Sequence, residues 1–590
     1  MPERPLLIFD GNCGFCRIWV EYWKQLTRDS VAYAASQDAA DHYPQIESSA
    51  FKRSVQLIQP DEEIVAGARA VFEVLQYSPN HRWLLWMYRH VPGWAAICEG
   101  LYGLIAAHRD TAHWLTRIFF GNRIHPLSYD RVAWLFARLL GSIYFIAFLS
   151  CGVQIAALIG TRGILPIERY LPAVRQSLGA SGYWSVPTLF WLNESDTALK
   201  LVCLAGAADS IVLMIGFADR ICFLLAFVLY LSICSGGQDF LSFQWDMLLL
   251  EAGFLAIFLA PNRAIVWLYR LLLFRLMFLS GAVKLLSHDP SWRNLDALRY
   301  HYWTQPLPTP LAWYANQLPA WFLRLSTLGV FGIELGLPFL IFLPSRFRRF
   351  AAAGFCLLQV FILLTGNYTF FNFLAICLCL FLLDDGLLLR VVEMPKKSAT
   401  LSAWISVPLL AILAPLGFFQ ILNTVSSVPG PVACVLRMVA PFGIVNSYGL
   451  FAVMTTTRPE IVVQGSNDGV VWVDYEFKDK PGDPQRAPPW VAPYQPRLDW
   501  QMWFAALSNC RSNPWFVSFL ARLLQASPEV LGLLEKTPFP DKPPRYVRAV
   551  LYDYRFTDAD SRSKTGAWWT REEKGMYLRA ISLEDFRQAN

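Results

Sequence analysis

Cys13 and Cys16 stand three positions apart in FDGNCGFC (9–16), after the apolar run LLIF (6–9) and before the helical pattern RIWVEYWKQL (17–26). Strand, turn, dithiol, helix is the order of a thioredoxin-like redox site, and the order has a physical cause. Cys13 falls at the N-terminus of a helix, where unpaired backbone N–H groups and the helix dipole stabilise the thiolate, the species that attacks a disulfide. Cys16, one turn on, is placed to resolve the mixed disulfide. Both are the candidate catalytic residues. Two other readings stand beside this one: half of a zinc site, or a structural pair of thiols at a turn. No second C-x-x-C and no H-x-x-x-H spacing lies nearby, and the eight histidines are dispersed, so neither a metal nor a cofactor is expected.

The elements around the dithiol continue as a small α/β domain. SVQLIQ (54–59) and IVAG (64–67) predict strands, and ARAVFEVLQ (68–76) a helix. MPERPLLIFDGN offers only four consecutive apolar residues, short of the seven or more of a secretory signal, which places the first 130 or so residues in the cytoplasm.

The rest of the 590-residue chain has a different solvent. It is 55% hydrophobic and 16% charged overall, where soluble domains carry about 25% charged residues. LLGSIYFIAFLSCGVQIAALIG (139–160) runs 22 residues without a charge, enough to cross a hydrocarbon core of about 30 Å. Further candidates lie at 201–218, 221–238, 245–260, 264–286, 325–343 and 403–422. The uncharged stretch 350–383 has 34 residues; as one helix it would measure about 50 Å, so a break is expected at GNYTFFN. This predicts a polytopic α-helical membrane protein of about nine spans. Basic clusters at Arg117, Arg123, Arg131 and Arg138, at Arg346, Arg348 and Arg349, and at Arg390, Lys396 and Lys397 fit nine crossings under the positive-inside rule, with the two ends on opposite faces. The net charge of +6 is small for this length and its basic residues are scattered, so nucleic acid is not an expected partner.

Asp209, Asp246, Glu251, Arg275, Lys284 and Glu334 interrupt or edge the apolar segments. Each costs a few kcal/mol at mid-membrane unless paired or hydrated, which marks it either as functional or as half of a structural pair such as Glu251 with Arg275. Snorkelling to an interface is a further option for Lys284. Most of the twelve cysteines lie in apolar segments and act there as small hydrophobes, with no disulfide framework.

Beyond the last span, GLFAVMTTT (449–457), EIVVQGS (460–466), VVWVDYEF (470–477) and RYVRAVLYDYRF (545–556) read as strands, with helices near 500–509, 513–525 and 528–536. This predicts a β-sandwich-like α+β domain with a helical insertion. Trp490 and Tyr494, in a Pro-rich loop, are the aromatic candidates for contact with a partner. Cys434 and Cys510 are free to pair in an oxidising compartment, and Asn193 and Asn367 stand in N-x-S/T sequons. The expected division is an N-terminal thioredoxin-like domain (1–115), a basic linker (116–138), a transmembrane helical domain (139–425) and a soluble C-terminal domain (426–590).

DGNCGFC resembles the D-G-x-C-x-x-C signature of the DCC family of predicted thiol-disulfide oxidoreductases, as does IVAGARAVFEVL (64–75). The resemblance covers roughly residues 5–115 and implies a thioredoxin-like fold with redox use of Cys13 and Cys16. One feature departs from better-known thioredoxins: no proline precedes a strand where their substrate-facing cis-proline stands. SGGQDFLSFQWDMLLLEAGF (235–254), FRLMFLSGAVKLLSHDPSWRNL (274–295), YHYWTQPLPTPLAWY (300–314), LTGNYTFFN (364–372), PRLDWQMWFAAL (496–507) and PFPDKPPRYVRAVLYDYRFT (538–557) look like the lipase maturation factor family. That resemblance implies a membrane-embedded factor for folding and assembly of exported proteins such as lipases, resident in the endoplasmic reticulum in eukaryotes. Fusion to the dithiol module looks bacterial, which implies the inner membrane with a periplasmic C-terminal domain. The expected partners are an exported client, a cytoplasmic thiol partner and membrane lipid. On this topology the dithiol does not meet the client's disulfides. The alternative is an integral membrane enzyme acting on a lipid or quinone, distantly like the vitamin K-dependent carboxylase group, with Lys284 or Glu334 as its reactive residue.

Overall fold

The computed structural model describes residues 2–79, 81–122, 124–388, 401–540 and 542–588. Arg123 and the third basic cluster, Arg390, Lys396 and Lys397, lie outside them. The chain divides into two compact units, Met1–Ser128 with Leu343–Arg346, and Tyr129–Phe342 with Phe347–Asn590.

The first unit is built on strands β1 (Leu6–Phe9), β2 (Ala32–Ala35), β3 (Gln56–Ile58) and β4 (Ile64–Ala66), in the order β2-β1-β3-β4. β1 and β2 run parallel, Leu6 opposite Ala32, whereas β3 and β4 are antiparallel to their neighbours, Leu7 opposite Leu57. Successive side chains of a strand point to opposite faces, and β1 is apolar on both. Leu7 and Phe9 pack on Val20, Ala70 and Val74 of helices α1 (Gly14–Thr27) and α2 (Gly67–Leu75), while Ile8 packs on Ala39, Ile46 and Phe51. The central strand is thus buried from both sides, which fixes where its C-terminal end delivers the dithiol turn. Helices α3 (Trp94–Ala107) and α4 (Arg109–Phe120) complete this unit's surroundings of the dithiol.

Among the described residues seven helices are long and apolar enough to cross a membrane: α5 (Asp130–Gly152), α6 (Asp196–Ile215), α7 (Asp219–Gly236), α9 (Arg263–Leu286), α10 (Ala320–Phe342), α11 (Ser345–Thr365) and α13 (Ala403–Val425). The protein is a polytopic helical membrane protein. Two of the expected segments form shorter helices. Residues 245–260 yield the 14-residue α8 (Gln244–Ile257), and the second half of the long run yields α12 (Phe371–Leu382). At 1.5 Å per residue α8 reaches only about 21 Å. The break at GNYTFFN falls where expected, between α11 and α12. α9 is the hub, with 72% of its apolar window buried, whereas α13 buries 17% and lies at the periphery.

The C-terminal part carries the antiparallel sheet β10 (Trp569–Ile581), β9 (Tyr546–Phe556), β5 (Pro459–Ser466), β6 (Val473–Asp474), and a two-stranded ribbon of β7 (Glu476–Phe477) with β8 (Leu534–Lys536). GLFAVMTTT is not a strand, against expectation. Its backbone bonds elsewhere: the Met454 N–H donates to Asp289 Oδ2 at 3.1 Å and the Phe451 carbonyl accepts from Trp292 Nε1 at 2.9 Å. Alternating hydrophobicity there serves packing on Trp292 and neighbours rather than a ladder.

Candidate functional site

The dithiol stands on a turn that Asp10 organises. Asp10 Oδ1 accepts the Asn12 N–H at 3.0 Å, the Asp10 carbonyl accepts the Cys13 N–H at 3.2 Å, and Gln37 braces the turn by accepting the Gly11 N–H at 3.0 Å. Cys13 is the N-cap of α1, its Sγ accepting the Cys16 N–H at 3.2 Å, and the first turn contains no acidic residue. These are the conditions in which a thiolate is favoured. Cys13 and Cys16 are joined as a disulfide, Cα atoms 5.3 Å apart, and both are half-buried.

Three neighbours escaped the sequence reading because they come from far along the chain. Arg109 lies 3.5 Å from Asp10 Oδ2 and donates to the Arg53 carbonyl at 2.9 Å, tying α4 to the turn. The Tyr102 hydroxyl accepts the Val55 N–H at 2.9 Å. His113 lies against the first turn of α1: a Cβ on Gly14 would sit 2.9 Å from its Cε1, and its Nδ1 is buried without a partner among the described residues. A polar groove of about 790 Å³, lined in part by Gly14, Arg17, Glu21, His113, Arg117 and His125, opens beside α1. Cys16 borders a much smaller apolar hollow with Phe15, Trp19, Trp23 and Tyr102. Among the described residues no cluster of His, Cys, Asp and Glu is arranged to hold a metal.

In the second unit most of the suspected polar residues find partners. Glu251 and Arg275 form the ion pair read as one possibility in the sequence. Lys284 does not snorkel; its Nζ lies 2.7 and 2.9 Å from the two oxygens of Glu334 and 3.0 Å from the Ser280 carbonyl, so all three donors are used. Gly281 permits this, since a Cβ there would come within 2.9 Å of Glu334 Cβ, and Glu334 stands on a π-helical turn of α10 (Gly332–Gly336). Such turns interrupt α-helices at functional sites. The pair borders a cavity of about 90 Å³ with His301, Tyr368 and Gln359. Burial, then the Lys284 charge, pushes His301 down to about 4. Asp209 Oδ2 is buried without a partner among the described residues.

Asp246 pairs with a residue the sequence reading missed. Arg497, from PRLDW, reaches both Asp246 oxygens at 3.0 Å, and the Tyr230 hydroxyl donates to the same carboxylate. Around it, Gln154 donates to the Gln495 carbonyl at 2.8 Å and accepts the Arg497 N–H at 3.0 Å. Asn367, in GNYTFFN, is 2% exposed; its Nδ2 donates to the Pro489 carbonyl at 2.9 Å and its Oδ1 accepts the Val491 N–H at 2.8 Å. It therefore clamps the Pro-rich loop, and no glycan fits there. Arg458 is likewise buried, bonding the Trp303 carbonyl at 2.8 Å and Glu460 at 3.0 Å. Of the C-terminal aromatics, Trp500, Trp503, Trp515 and Trp569 fill the core, while Trp490 is 56% exposed. Cys434 and Cys510 are not bonded to each other.

Residues 7–115 match the family model of DCC1-like thiol-disulfide oxidoreductase, residues 131–390 that of the lipase maturation factor transmembrane domain, and residues 444–579 that of the lipase maturation factor C-terminal domain. Lipase maturation factor 2 of Gallus gallus is 37% identical over 585 residues, spanning 76% of this chain and 81% of the relative. Lipase maturation factor 1 of Mus musculus is 34% identical over 530 residues, spanning 79% of this chain and 90% of the relative. No solved structure matches.

Proposed function

The chain belongs to the lipase maturation factor family, and from that premise we propose that it is a membrane-embedded maturation factor whose C-terminal lobe assists an exported client of the lipase kind, with a dithiol module in front. The observation that carries this reading is the buried seam of Asp246–Arg497, Gln154–Gln495 and Asn367–Pro489. Its residues lie within the segments that match the two lipase maturation factor domains, 131–390 and 444–579, and Trp490 is exposed beside it. A factor that holds a folding chain needs such a preformed platform, since binding energy is lost when the surface must first be ordered.

In this reading the N-terminal unit is thioredoxin-like, supported by its parallel β1–β2 pair, antiparallel β3–β4 hairpin and capping Cys13. Cys13 and Cys16 exchange thiols with a cytoplasmic partner. A partner thiolate attacks Cys13 Sγ, the disulfide opens with Cys16 leaving as a thiolate, and a second partner thiol resolves the mixed disulfide; two electrons and two protons pass to the module. The C-terminal lobe is β-sandwich-like and α+β in kind.

Nine crossings are favoured over seven. Five long helices precede Arg346, Arg348 and Arg349, which would set that cluster on the face opposite Arg117, Arg131 and Arg138. Counting α8 as a crossing returns it to the same face, as the positive-inside rule requires. The short α12 then returns the chain before α13. The N-terminus is cytoplasmic and the C-terminal lobe periplasmic in a bacterial inner membrane.

Deleting the chain and assaying exported lipases for specific activity tests the client role. Loss of activity without loss of secreted protein is expected, and full activity overturns the reading. The double variant Cys13→Ser/Cys16→Ser should spare the client and abolish thiol exchange.

The paired state of Lys284 weighs against the enzyme alternative, since a saturated ammonium is a poor base.

A further inference from the structure

We propose that the cavity between α9 and α13 binds an uncharged acyl lipid whose carbonyl oxygen accepts hydrogen bonds from Arg275. The cavity measures about 280 Å³ and is walled by hydrocarbon, including Leu268, Leu272 and Leu413. One wall is the peripheral α13, and Phe342 and Phe418 at the cavity are both exposed, so a membrane-borne molecule reaches it from the hydrocarbon side. The volume is near the lower end of small-molecule sites, enough for a carbonyl and a stretch of chain, with the rest of the lipid left in the bilayer.

The ion pair at the cavity is unevenly satisfied. Beyond Arg275, Glu251 accepts the Tyr448 hydroxyl at 2.7 Å, the Asn446 N–H at 3.0 Å and Asn446 Nδ2 at 3.1 Å. Arg275 spends only Nη2. Its Nε is buried without a partner, and Nη1 makes no hydrogen bond among the described residues. Gly417 leaves space at that point, where a Cβ would lie 2.8 Å from Nη1. A guanidinium carries five N–H donors and a buried donor left empty is costly, so the site asks for an acceptor. Its charge is already balanced by Glu251. Arg275 is the thirteenth of the 24 residues of α9, and a phosphate or carboxylate would bring an uncompensated charge to that depth. A carbonyl supplies the acceptor without one. The proposal is independent of which client the protein serves.

Photolabelling of the full chain in lipid nanodiscs tests it, with three probes carrying a diazirine in the acyl chain: a diacylglycerol, a fatty acid and a phosphatidylglycerol. The diacylglycerol should label peptides of α9 and α13, at least tenfold less under excess unlabelled diacylglycerol. Ala414→Trp, which fills the cavity and leaves the ion pair in place, should reduce labelling as far. If that variant does not fold, competition on the wild-type chain decides. Labelling that resists competition, or is stronger with either charged probe, or is unchanged in a folded Ala414→Trp, overturns the proposal.

Discussion

Arg497 holds Asp246 with two parallel hydrogen bonds of 3.0 Å, in a place where the arginine is 1% and the aspartate 0% exposed. The two residues lie 251 positions apart, one at the start of an apolar helix and the other beyond the last span. Nη1 of the same arginine also donates to the Phe240 carbonyl at 2.7 Å. The pair makes the C-terminal lobe and the helices around α8 one body.

Removing one partner should therefore unfasten that body. Arg497→Met leaves the Asp246 carboxylate buried with only the Tyr230 hydroxyl, and breaking a buried pair in this way costs about 3–5 kcal/mol. The expected result is a lower unfolding temperature in detergent, with new proteolysis in the loop 481–496. Arg497→Met combined with Asp246→Leu should recover much of the loss, because replacing both charges by apolar groups removes the uncompensated one. A single variant as stable as the wild type would mean that the seam does not hold the lobe.

The dithiol makes a kinetic prediction. After reduction, Cys13 at the N-cap should alkylate with iodoacetamide at pH 7 at least tenfold faster than Cys98 of the same unit, whose thiol is pushed up by burial and then by Glu99. Thiolate fraction sets this rate. Asp10→Ala, which removes the acceptor of the Asn12 N–H, should narrow the ratio by loosening the turn. Equal rates for Cys13 and Cys98 would remove the argument from the helix terminus.

Asp479 makes a prediction in pH. Burial, then the Asp499 carboxylate, pushes Asp479 up to about 7. An acid whose pKa is raised on folding gives stability that is present below its unfolded pKa and is lost as pH rises through its folded one. The chain should thus lose stability between about pH 4 and 7 through this group and lose no more above that. Asp479→Asn removes the charge, so its unfolding temperature should exceed that of the wild type by a margin that widens up to pH 7 and then stays constant. A margin independent of pH would show that Asp479 is not the group responsible.

The sequence makes some of this architecture legible and hides the rest for identifiable reasons. The dithiol turn is legible because its determinants are local: an apolar strand, Asp10, two cysteines and a helix all fall within about twenty residues. Glu251 with Arg275 can be suspected because two opposite charges in apolar segments need partners. Arg497 is not legible as the partner of Asp246, since it stands before the helix expected near 500–509 in the soluble part of the chain and nothing local marks it for burial. GLFAVMTTT alternates as a strand does, yet its N–H and C=O groups are claimed by Asp289 and Trp292. Arg109 and His113 reach Asp10 and Gly14, on the dithiol turn, only through the packing of α4.

Lys284 and Glu334 separate a structural role from a chemical one. The ammonium is saturated by two carboxylate contacts and one carbonyl, and Trp292 places its ring 5.2 Å from Nζ. Lys284→Met leaves Glu334 unpaired in a buried site, and the fold should lose about 3–5 kcal/mol. Lys284→Met with Glu334→Leu should restore folding. If the pair is structural, the restored double variant also matures client as well as the wild type, read as specific activity of the exported lipase. A double variant that folds but fails to mature client would assign the pair a chemical task, and the neutral His301 beside it would be the next group to replace.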